Sequence, residues 1–215
     1  ELEQRLKMRG DSKILEQMVA ISEMAEISYV YQKQQLGPGH AVLAAKSAIG
    51  HEPFAVFFPD DLILSEVPTI GTMIEMFNEY GQSVIAVGRV QEETIPSKGI
   101  VKPQLLYDNV YQVLDLIEKP SIQDAPSNLA IVGRYVLTAD IFDALESLNP
   151  STGGEIWLTD AISELLKTQK VYGYEFPGIQ FDVGTPMGLQ MASVYEALHR
   201  EDTSEQFRAW IKGIL

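Results

Sequence analysis

Two aspartates close an apolar stretch of the sequence and could hold a cation against phosphate groups. The stretch PFAVFFPDD ends at Asp60 and Asp61, and QFDVGTPMG repeats the pattern with Asp182 before a glycine. Ligands of an open parallel sheet collect beyond the carboxyl ends of its strands, and proteins bind Mg²⁺ through one or two carboxylates and substrate phosphates. The pattern predicts one divalent ion held between Asp60 and Asp182. Asp61 is predicted instead to occupy a turn or to cap the next helix.

A second charged group ends another apolar stretch. The segment LIEKP places Glu118 and Lys119 side by side, directly before a proline. Neighbouring charges of this kind are most often a solvated pair, but the stiff proline favours a fixed site. At such a site the glutamate could accept hydrogen bonds from sugar hydroxyls, and the lysine could meet a phosphate as a point charge.

The segment QLGPGHAV has two interpretations. Gly37 and Gly39 permit close backbone approach or positive φ, and Pro38 stiffens the loop between them. The segment is therefore either a tight connection into a helix or a loop shaped for a ligand, and a short glycine motif does not decide between them. His40 is predicted to be structural, because no pair of histidines has metal-ligand spacing.

The elements that must position these residues alternate along the first ninety residues. Residues 1–27 are predicted to be helical, and ISYVYQ, PFAVFF and SVIAVGRV are predicted strands, the last two buried on both faces. HAVLAAKSAI and TIGTMIEMFNEYG are predicted helices between them. This order indicates an α/β fold with a mixed, mainly parallel, doubly wound Rossmann-like sheet. GIVKP, LLYDNVYQVLDLIEKP and NLAIVGRYVLT then predict antiparallel strands, with later helices at 139–148, 158–168, 187–199 and 204–214.

Composition excludes several classes of function. The chain has 215 residues, no cysteine and a net charge of −14, which argues against disulfides, thiolate metal sites and a nucleic-acid or anionic-membrane surface. No apolar run is long enough to span a bilayer, and the charged N-terminal sequence predicts no secretory signal. We expect a cytoplasmic protein without nucleic-acid or membrane partners.

Taken together, these segments resemble the sugar nucleotidyltransferases. QKQQLGPGHAVLAAKSAIGHEPFAVFFPDD, SKGIV, LIEKP, APSNLAIVGRYVL, GGEIWLTDAI and FDVGTPMG follow in the family's order and cover almost the whole chain. The resemblance implies that family's fold, and APSNLAIVGRY and LTDAI favour its uridylyltransferase branch. It also implies the reaction of UTP with glucose 1-phosphate to give UDP-glucose and pyrophosphate, with Mg²⁺ as cofactor.

The resemblance assigns roles to particular residues. Lys119 and Asp60 would be catalytic, Asp60 and Asp182 would bind Mg²⁺, and Lys119 would contact the sugar phosphate. The other implied substrate-binding residues are Gln32 and Gly37 for the uracil, Gly99 and Glu118 for the glucose hydroxyls, Val132 and Gly133 for the sugar pocket, and Glu155 on the sugar side. The backbone beside Gly37 is expected to be open because the base would lie there.

The sequence departs from the family's pattern in one respect. Nothing in it matches the family's Gly-x-Gly-Thr-Arg loop and Pro-Lys pair, so we expect residues 1–200 to form a nucleotidyltransferase domain without its first βα segment. Residues 201–215 are expected to form a C-terminal helix. Apolar residues of the last helices predict a homo-oligomer, although they could instead pack on their own domain.

Three other functions fit the same motifs. A sister enzyme using dTTP or CTP shares the architecture, and a non-catalytic nucleotide-sugar binding module or an incomplete fragment would retain the pocket. A metal-dependent glycosyltransferase would also bind a nucleotide-sugar on such a sheet.

Overall fold

Glycine divides the predicted N-terminal helix into two. The computed structural model describes residues 2–151 and 153–214, and the chain forms two compact units, Glu1–Tyr31 and Gln32–Leu215. In the first unit, α1 (Leu2–Arg9) packs on α2 (Ser12–Ser22), and Gly10 turns the chain between them at a φ of 74°. The helical prediction for residues 1–27 is confirmed over these two helices and wrong for residues 23–27, which follow the end of α2; residue 1 lies outside the described residues. The strand predicted at ISYVYQ is wrong: residues 27–32 are not paired with any described strand, and a strand needs a hydrogen-bonded neighbour.

The second unit is built on a six-stranded sheet. Its strands lie in the order β1-β6-β3-β7-β5-β4, and a separate pair joins β2 to β8. The strands are β1 (Phe54–Phe57), β2 (Asp61–Leu64), β3 (Ser83–Arg89), β4 (Gly99–Tyr107), β5 (Val110–Glu118), β6 (Leu129–Leu137), β7 (Val171–Glu175) and β8 (Ile179–Asp182).

The predicted mainly parallel arrangement is wrong, although the mixed α/β class is confirmed. Within the described residues only the β3–β7 pair is parallel, and every other ladder is antiparallel. The reason lies in two elements. Asp108, at a φ of 42°, and Asn109 join β4 to β5 through a two-residue turn, which permits only antiparallel pairing. The long strand β6 then enters between β1 and β3 and runs against both.

The β4–β5 hairpin contains two register irregularities. One falls between Lys102 and Pro103, and the other between Leu105 and Tyr107. Beyond them the ladder is regular as far as the pair Gly99–Glu118 at its open end. The hairpin therefore changes register once in its middle and once near its tip, and the four pairs at its base are regular.

The helices follow the predicted pattern closely. They are α3 (Gly37–Ala44), α4 (Lys46–Ile49), α5 (Thr69–Tyr80), α6 (Ile141–Ser147), α7 (Leu158–Leu165), α8 (Pro186–His199) and α9 (Ser204–Lys212), with a 3₁₀ helix at Glu92–Ser97. The Gly-Pro-Gly segment is itself the first turn of α3, where the fixed φ of Pro38 suits a helix start. No helix among the described residues is long and apolar enough to cross a bilayer.

Apolar side chains fill both faces of the sheet. Val84 and Ile85 on adjacent positions of β3 are fully buried, one toward α5 and the other toward α3, α6 and α7. The prediction for SVIAVGRV is thus confirmed. The prediction that PFAVFF is buried on both faces is wrong, because β1 lies at the edge of the sheet and 53% of Phe57 is exposed.

Candidate active site

The open end of the β4–β5 hairpin brings a carboxylate to a cleft. Glu118 is the last residue of β5 and lies opposite Gly99, the first residue of β4. A Cβ atom on Gly99 would lie 3.0 Å from Glu118 Oε2 and 3.1 Å from Thr159 Oγ1. Glycine at this position therefore leaves room for the carboxylate and for the hydroxyl that contacts it.

Glu118 is held in a partly desolvated position. The Thr159 hydroxyl donates a 2.7 Å hydrogen bond to its Oε2 atom. Burial raises the pKa of Glu118 above its usual value, while the Thr159 hydrogen bond and the charge of Lys119 act in the opposite direction. Asp160 and Glu155 add smaller repulsions that also raise this pKa.

Lys119 turns back toward the same cleft. Its φ of 49° is unusual for a residue with a side chain, and its backbone N–H donates a 3.0 Å hydrogen bond to the Lys98 carbonyl. The Lys119 ammonium lies 3.9 Å from Glu118 Oε1 and 3.8 Å from the centroid of the Trp157 ring. The positive φ is thus fixed by the backbone and directs the ammonium to the cleft.

The two adjacent aspartates have different environments. Asp61 begins β2, where its Oδ2 atom accepts a 2.8 Å hydrogen bond from the Gly133 N–H and its Oδ1 atom accepts one from Gln180 Nε2. Asp61 is therefore structural. Its N–H donates to the Phe58 carbonyl at 3.2 Å and closes the turn before β2, so the predicted turn position is confirmed and the alternative helix cap is wrong. The carboxylate of Asp60 lies in the turn before β2 and lines the cleft.

Asp182 lies close to Asp60, as predicted. Asp182 pairs with Asp61 across the β2–β8 ladder, and the Val183 N–H donates to the Asp60 carbonyl at 2.8 Å. A Cβ atom on Gly184 would lie 3.1 Å from Asp60 Cβ and 3.2 Å from Asp182 Oδ1. The two carboxylates thus flank one glycine.

This pair of carboxylates fits a magnesium ion that draws its other ligands from phosphate and water. No group of three or more His, Cys, Asp or Glu side chains in residues 2–151 and 153–214 could form an all-protein metal site. Mg²⁺ usually retains several waters and is bound by only one or two carboxylates with substrate phosphates. Asp60 and Asp182 meet that requirement.

Val132 and Gly133, adjacent residues of β6, lie on opposite faces of the sheet. Gly133 lines the cleft, and a Cβ atom on it would lie 2.6 Å from both Asp61 Oδ2 and Phe58 Cβ. Val132 points to the opposite face, where it is only 2% exposed in the core beside α5. Val132 is predicted to line the sugar pocket with Gly133, but its side chain does not face the cleft, because successive side chains of a strand alternate between faces.

The Gly-Pro-Gly turn packs against protein. A Cβ atom on Gly37, whose φ is 87°, would lie 2.9 Å from Glu155 Cβ, and the Gly39 N–H donates to the Ile156 carbonyl at 2.9 Å. The expected open space beside Gly37 is thus filled by Glu155 and Ile156. Gln32 Nε2 donates to the Gly37 carbonyl at 3.1 Å and lies 3.0 Å from His40 Nδ1.

The cleft has a volume of about 260 Å³. Its lining includes five of the predicted residues, namely Asp60, Gly99, Glu118, Lys119 and Gly133. Gln32, Gly37, Val132, Glu155 and Asp182 lie outside that lining. Cavities of about 520 and 510 Å³ elsewhere have described lining residues that include carboxylates but no lysine or arginine, and cavities of about 350 and 470 Å³ have lysines but no carboxylate. Of these cavities, the cleft is the one whose described lining combines lysines with carboxylates, as a site for a phosphate and a divalent cation requires.

Three residues of the cleft escaped the sequence reasoning. Lys98 lines it, with its ammonium 3.9 Å from Asp182 Oδ2, and Trp157 and Thr159 contact Lys119 and Glu118. Lys98 lies in SKGIV, and Trp157 and Thr159 lie in GGEIWLTDAI. Both segments contribute to the family resemblance, so they were the available signal for these three residues. Their contacts with the Glu118–Lys119 pair depend on tertiary structure.

This site and fold place the chain among the nucleotidyl transferases. The nucleotidyl transferase family model matches residues 7–197, and the chain belongs to that family. It is 43% identical over 214 residues to UTP–glucose-1-phosphate uridylyltransferase 2 of Staphylococcus saprophyticus, covering 100% of this chain and 74% of that protein. It is 42% identical over 214 residues to the UTP–glucose-1-phosphate uridylyltransferase of Staphylococcus epidermidis, with the same coverage.

Solved structures give the same answer. UDP-glucose pyrophosphorylase from Acinetobacter baumannii superposes with a TM-score of 0.89 at 33% identity, covering 100% of this chain and 75% of that one. A UDP-glucose pyrophosphorylase in complex with UDP-glucose gives a TM-score of 0.79 at 34% identity, covering 95% of this chain and 73% of that one. The resemblance to the sugar nucleotidyltransferases and the predicted fold type are confirmed.

Proposed function

We propose that this protein is a UTP–glucose-1-phosphate uridylyltransferase, which converts UTP and glucose 1-phosphate to UDP-glucose and pyrophosphate. The observation that carries the proposal is the Glu118–Lys119 pair at a cleft beside two aspartates. Relatives that bear this enzyme name match along the whole chain at 42–43% identity, which supports the assignment.

The chemistry needs no covalent enzyme intermediate. A phosphate oxygen of glucose 1-phosphate attacks the α-phosphorus of UTP in line, and pyrophosphate leaves. The protein contributes by positioning the two substrates and by stabilising the charge on their phosphates. Glu118 accepts hydrogen bonds from glucose hydroxyls, with Gly99 leaving space beside it, and Lys119 binds the sugar phosphate.

Asp60 and Asp182 are proposed to hold Mg²⁺ beside the phosphates. Their positions on either side of Gly184 support this role, as does the preference of Mg²⁺ for carboxylate oxygens. When bound, the ion would neutralise charge on the phosphates. Lys98, close to Asp182, adds a cation of the protein itself at the same edge of the cleft.

The remaining assignments concern the base and the sugar. Gln32 and Gly37 are proposed to recognise uracil, and the hydrogen bond between Gln32 Nε2 and the Gly37 carbonyl joins them into one unit. Gly133 is proposed to form a wall of the sugar pocket because it lines the cleft. Glu155, which packs against Gly37, is proposed to contact the substrate on its sugar side.

The test is a pyrophosphate-release assay with UTP, glucose 1-phosphate and Mg²⁺, using the protein at the full length at which it is made. Lys119→Ala should lower kcat/KM by about 10²-fold or more, because one preorganised charge contact is lost. Lys167→Ala, which removes an exposed ammonium paired with Glu164, is the control and should retain activity. Normal turnover by Lys119→Ala would overturn the assignment.

The same assay separates the alternatives. Turnover with dTTP or CTP in preference to UTP would indicate a sister enzyme, and binding without turnover would indicate a binding module. Consumption of UDP-glucose that requires a sugar acceptor, and does not require pyrophosphate, would indicate a glycosyltransferase. We further propose that the protein acts in the cytoplasm as a homo-oligomer. We also propose that it has no nucleic-acid or membrane partners, which its net charge of −14 supports.

A further inference from the structure

The Lys119 ammonium occupies an unusual position between an anion and an aromatic ring. Its nitrogen lies 3.9 Å from Glu118 Oε1, too far for a hydrogen bond, and 3.8 Å from the Trp157 ring centroid. Within residues 2–151 and 153–214, this nitrogen makes no hydrogen bond to a protein oxygen. The ring face attracts the cation through its quadrupole and, unlike a carboxylate, accepts no conventional hydrogen bond from it. The N–H donors that do not point at the ring therefore remain available for a phosphate.

The carboxylate of Glu118 is likewise held through one of its oxygen atoms, which leaves the other for the substrate. The Thr159 hydroxyl, on a buried side chain, binds Oε2 at 2.7 Å, while Oε1 is the atom nearer the Lys119 ammonium. A glucose hydroxyl can therefore bind Oε1 without displacing Thr159. If Lys119 instead formed a close ion pair with Glu118, the ammonium and the Oε1 atom would bind each other, and neither would be free to bind the substrate.

Both contacts come from one short segment. Trp157 directly precedes α7 and Thr159 lies in its first turn, and this turn is closed by the Ala161 N–H, which donates to the Trp157 carbonyl at 3.3 Å. The preceding residue, Ile156, is fixed to α3 through backbone hydrogen bonds with Leu36 and Gly39. The start of α7 is thus a fixed base from which the two side chains reach the pair.

We propose that the first turn of α7 positions the substrate-binding pair, with Trp157 holding the Lys119 ammonium and Thr159 holding the Glu118 carboxylate. This proposal rests on the proposed function. It makes Trp157 and Thr159 positioning residues, which act through Lys119 and Glu118. Loss of Trp157 should weaken recognition of the sugar phosphate, and loss of Thr159 should weaken recognition of the glucose ring.

The first experiment compares Trp157→Leu with Trp157→Phe in steady-state kinetics. Trp157→Leu should raise KM for glucose 1-phosphate by about two- to fivefold, the range expected for one cation–π contact, and leave KM for UTP unchanged. Trp157→Phe retains an aromatic face and should recover most of the loss. Trp210→Leu, which alters the exposed tryptophan of α9, is the control and should change neither constant. Equal increases in both KM values would overturn the proposal for Trp157.

The second experiment uses the pH profile of kcat/KM. Ionised Glu118 accepts the sugar hydroxyl, and the Thr159 hydrogen bond favours that ionised form. Lys119 favours it as well, while burial, Asp160 and Glu155 oppose it. Thr159→Val should therefore move the acid limb of the profile to higher pH and lower kcat/KM by about tenfold. Thr159→Ser should restore both.

The matched control for Thr159→Val is Ser163→Ala on the same helix. The Ser163 hydroxyl donates to the Leu116 carbonyl at 3.3 Å and does not contact Glu118, so its loss should not move the acid limb. An unshifted acid limb in Thr159→Val, or failure of Thr159→Ser to restore it, would overturn the proposal for Thr159.

A third measurement does not depend on turnover. The chain contains two tryptophans, so Trp210→Phe leaves Trp157 as the sole indole. Adding Lys119→Met removes the cation from that ring and should shift its fluorescence emission, whereas identical spectra would overturn the Trp157–Lys119 contact. An emission shift on adding Lys119→Met, found together with a wild-type protein that releases no pyrophosphate from UTP and glucose 1-phosphate, would leave the contact established and overturn the proposed function alone.

Discussion

At the scale of single residues, Asp60 and Asp61 show how neighbours of one type divide their roles. Both carboxylate oxygens of Asp61 accept hydrogen bonds from the protein, from Gly133 and Gln180. Asp60 faces the cleft and lies near Asp182. The sequence pattern DD marks the position of the site, but only the contacts tell which aspartate stabilises the fold and which is available to a ligand.

Replacing each of these aspartates with alanine should give opposite results for stability and activity. Asp61→Ala should lower the free energy of unfolding by about 1–3 kcal/mol, because it leaves the Gly133 N–H and the Gln180 amide without their acceptor. Asp60→Ala should leave that free energy nearly unchanged and abolish activity. Urea titration followed by circular dichroism measures the first effect, and pyrophosphate release measures the second. Equal loss of stability in both variants would contradict this division.

Glu118 should make the folded protein less stable at neutral pH than it could be. Burial raises its folded-state pKa above the unfolded value near 4.5, so ionisation costs more in the folded state. That cost is absent below about pH 4.5, grows as pH rises through the raised folded pKa, and persists above it. Glu118→Gln should therefore gain stability over the wild type at pH 8 and not at pH 4.

The measurement is a pair of urea titrations for each protein, one at pH 4 and one at pH 8. Glu52→Gln, at an exposed turn, is the matched control and should show the same difference from wild type at both values. A Glu118→Gln variant whose advantage does not grow with pH would contradict the expectation.

At the scale of elements, the contact between α3 and the segment before α7 depends on glycine. A Cβ atom on Gly39 would lie 2.7 Å from the Ile156 carbonyl oxygen and 2.9 Å from Leu145 Cδ2. Backbone cannot yield as a flexible side chain can, so α3 would have to move away. This would disturb Trp157 and Thr159, which follow directly in the chain.

Two alanine substitutions in helices should consequently differ in sign. Gly39→Ala should destabilise the fold by about 1–3 kcal/mol through overpacking. Gly71→Ala in α5, where the nearest atom to a new Cβ is Pro68 Cβ at 3.8 Å, should stabilise it by about 0.5–1 kcal/mol through helix propensity. Thermal unfolding of both variants checks the pair, and a stabilised Gly39→Ala would show that α3 adapts without strain.

Sequence patterns predicted elements better than their pairing. The apolar run of β3 and the amphipathic pattern of α5 depend on local residues, and both predictions are confirmed. Strand direction was not predictable, because it depends on where β6 enters the sheet. The predicted strand at ISYVYQ is absent because residues 27–32 have no hydrogen-bonded neighbour among the described strands. Site residues at strand ends, such as Glu118, were predictable because a charged pair and a proline end the apolar run of the strand. Thr159 and Trp157 were not, because their roles depend on contacts across the fold.

At the scale of the whole molecule, a net negative charge coexists with a local pair of cations. The chain carries a net charge of −14, yet Lys98 and Lys119 meet at one cleft. Exposed apolar side chains occur on α8, including Met187, Leu189 and Met191. An acidic protein can bind anionic substrates in this way, because the cations need only be local.

Homo-oligomerisation stays a prediction, and α8 provides its test. Leu189→Glu with Met191→Glu should shift the protein toward monomer in sedimentation velocity, because charge would be buried in an apolar contact. Leu114→Glu places the same charge on an exposed position of β5 and should not change the sedimentation coefficient. A wild-type protein that sediments as a monomer at micromolar concentration would contradict the prediction.

The β4–β5 hairpin has a consequence for how this chain can tolerate changes in length. Its two irregularities lie between the Asp108–Asn109 turn and the Gly99–Glu118 pair, so the tip is already out of step with the base. An insertion of two residues at the turn preserves the alternation of faces and is separated from Glu118 by the irregular ladder. A two-residue insertion on the Asp108 side of the turn, which leaves the hydrogen bonds between Asn109 and Glu175 in place, is therefore a way to attach a spectroscopic label while the substrate-binding end keeps its register.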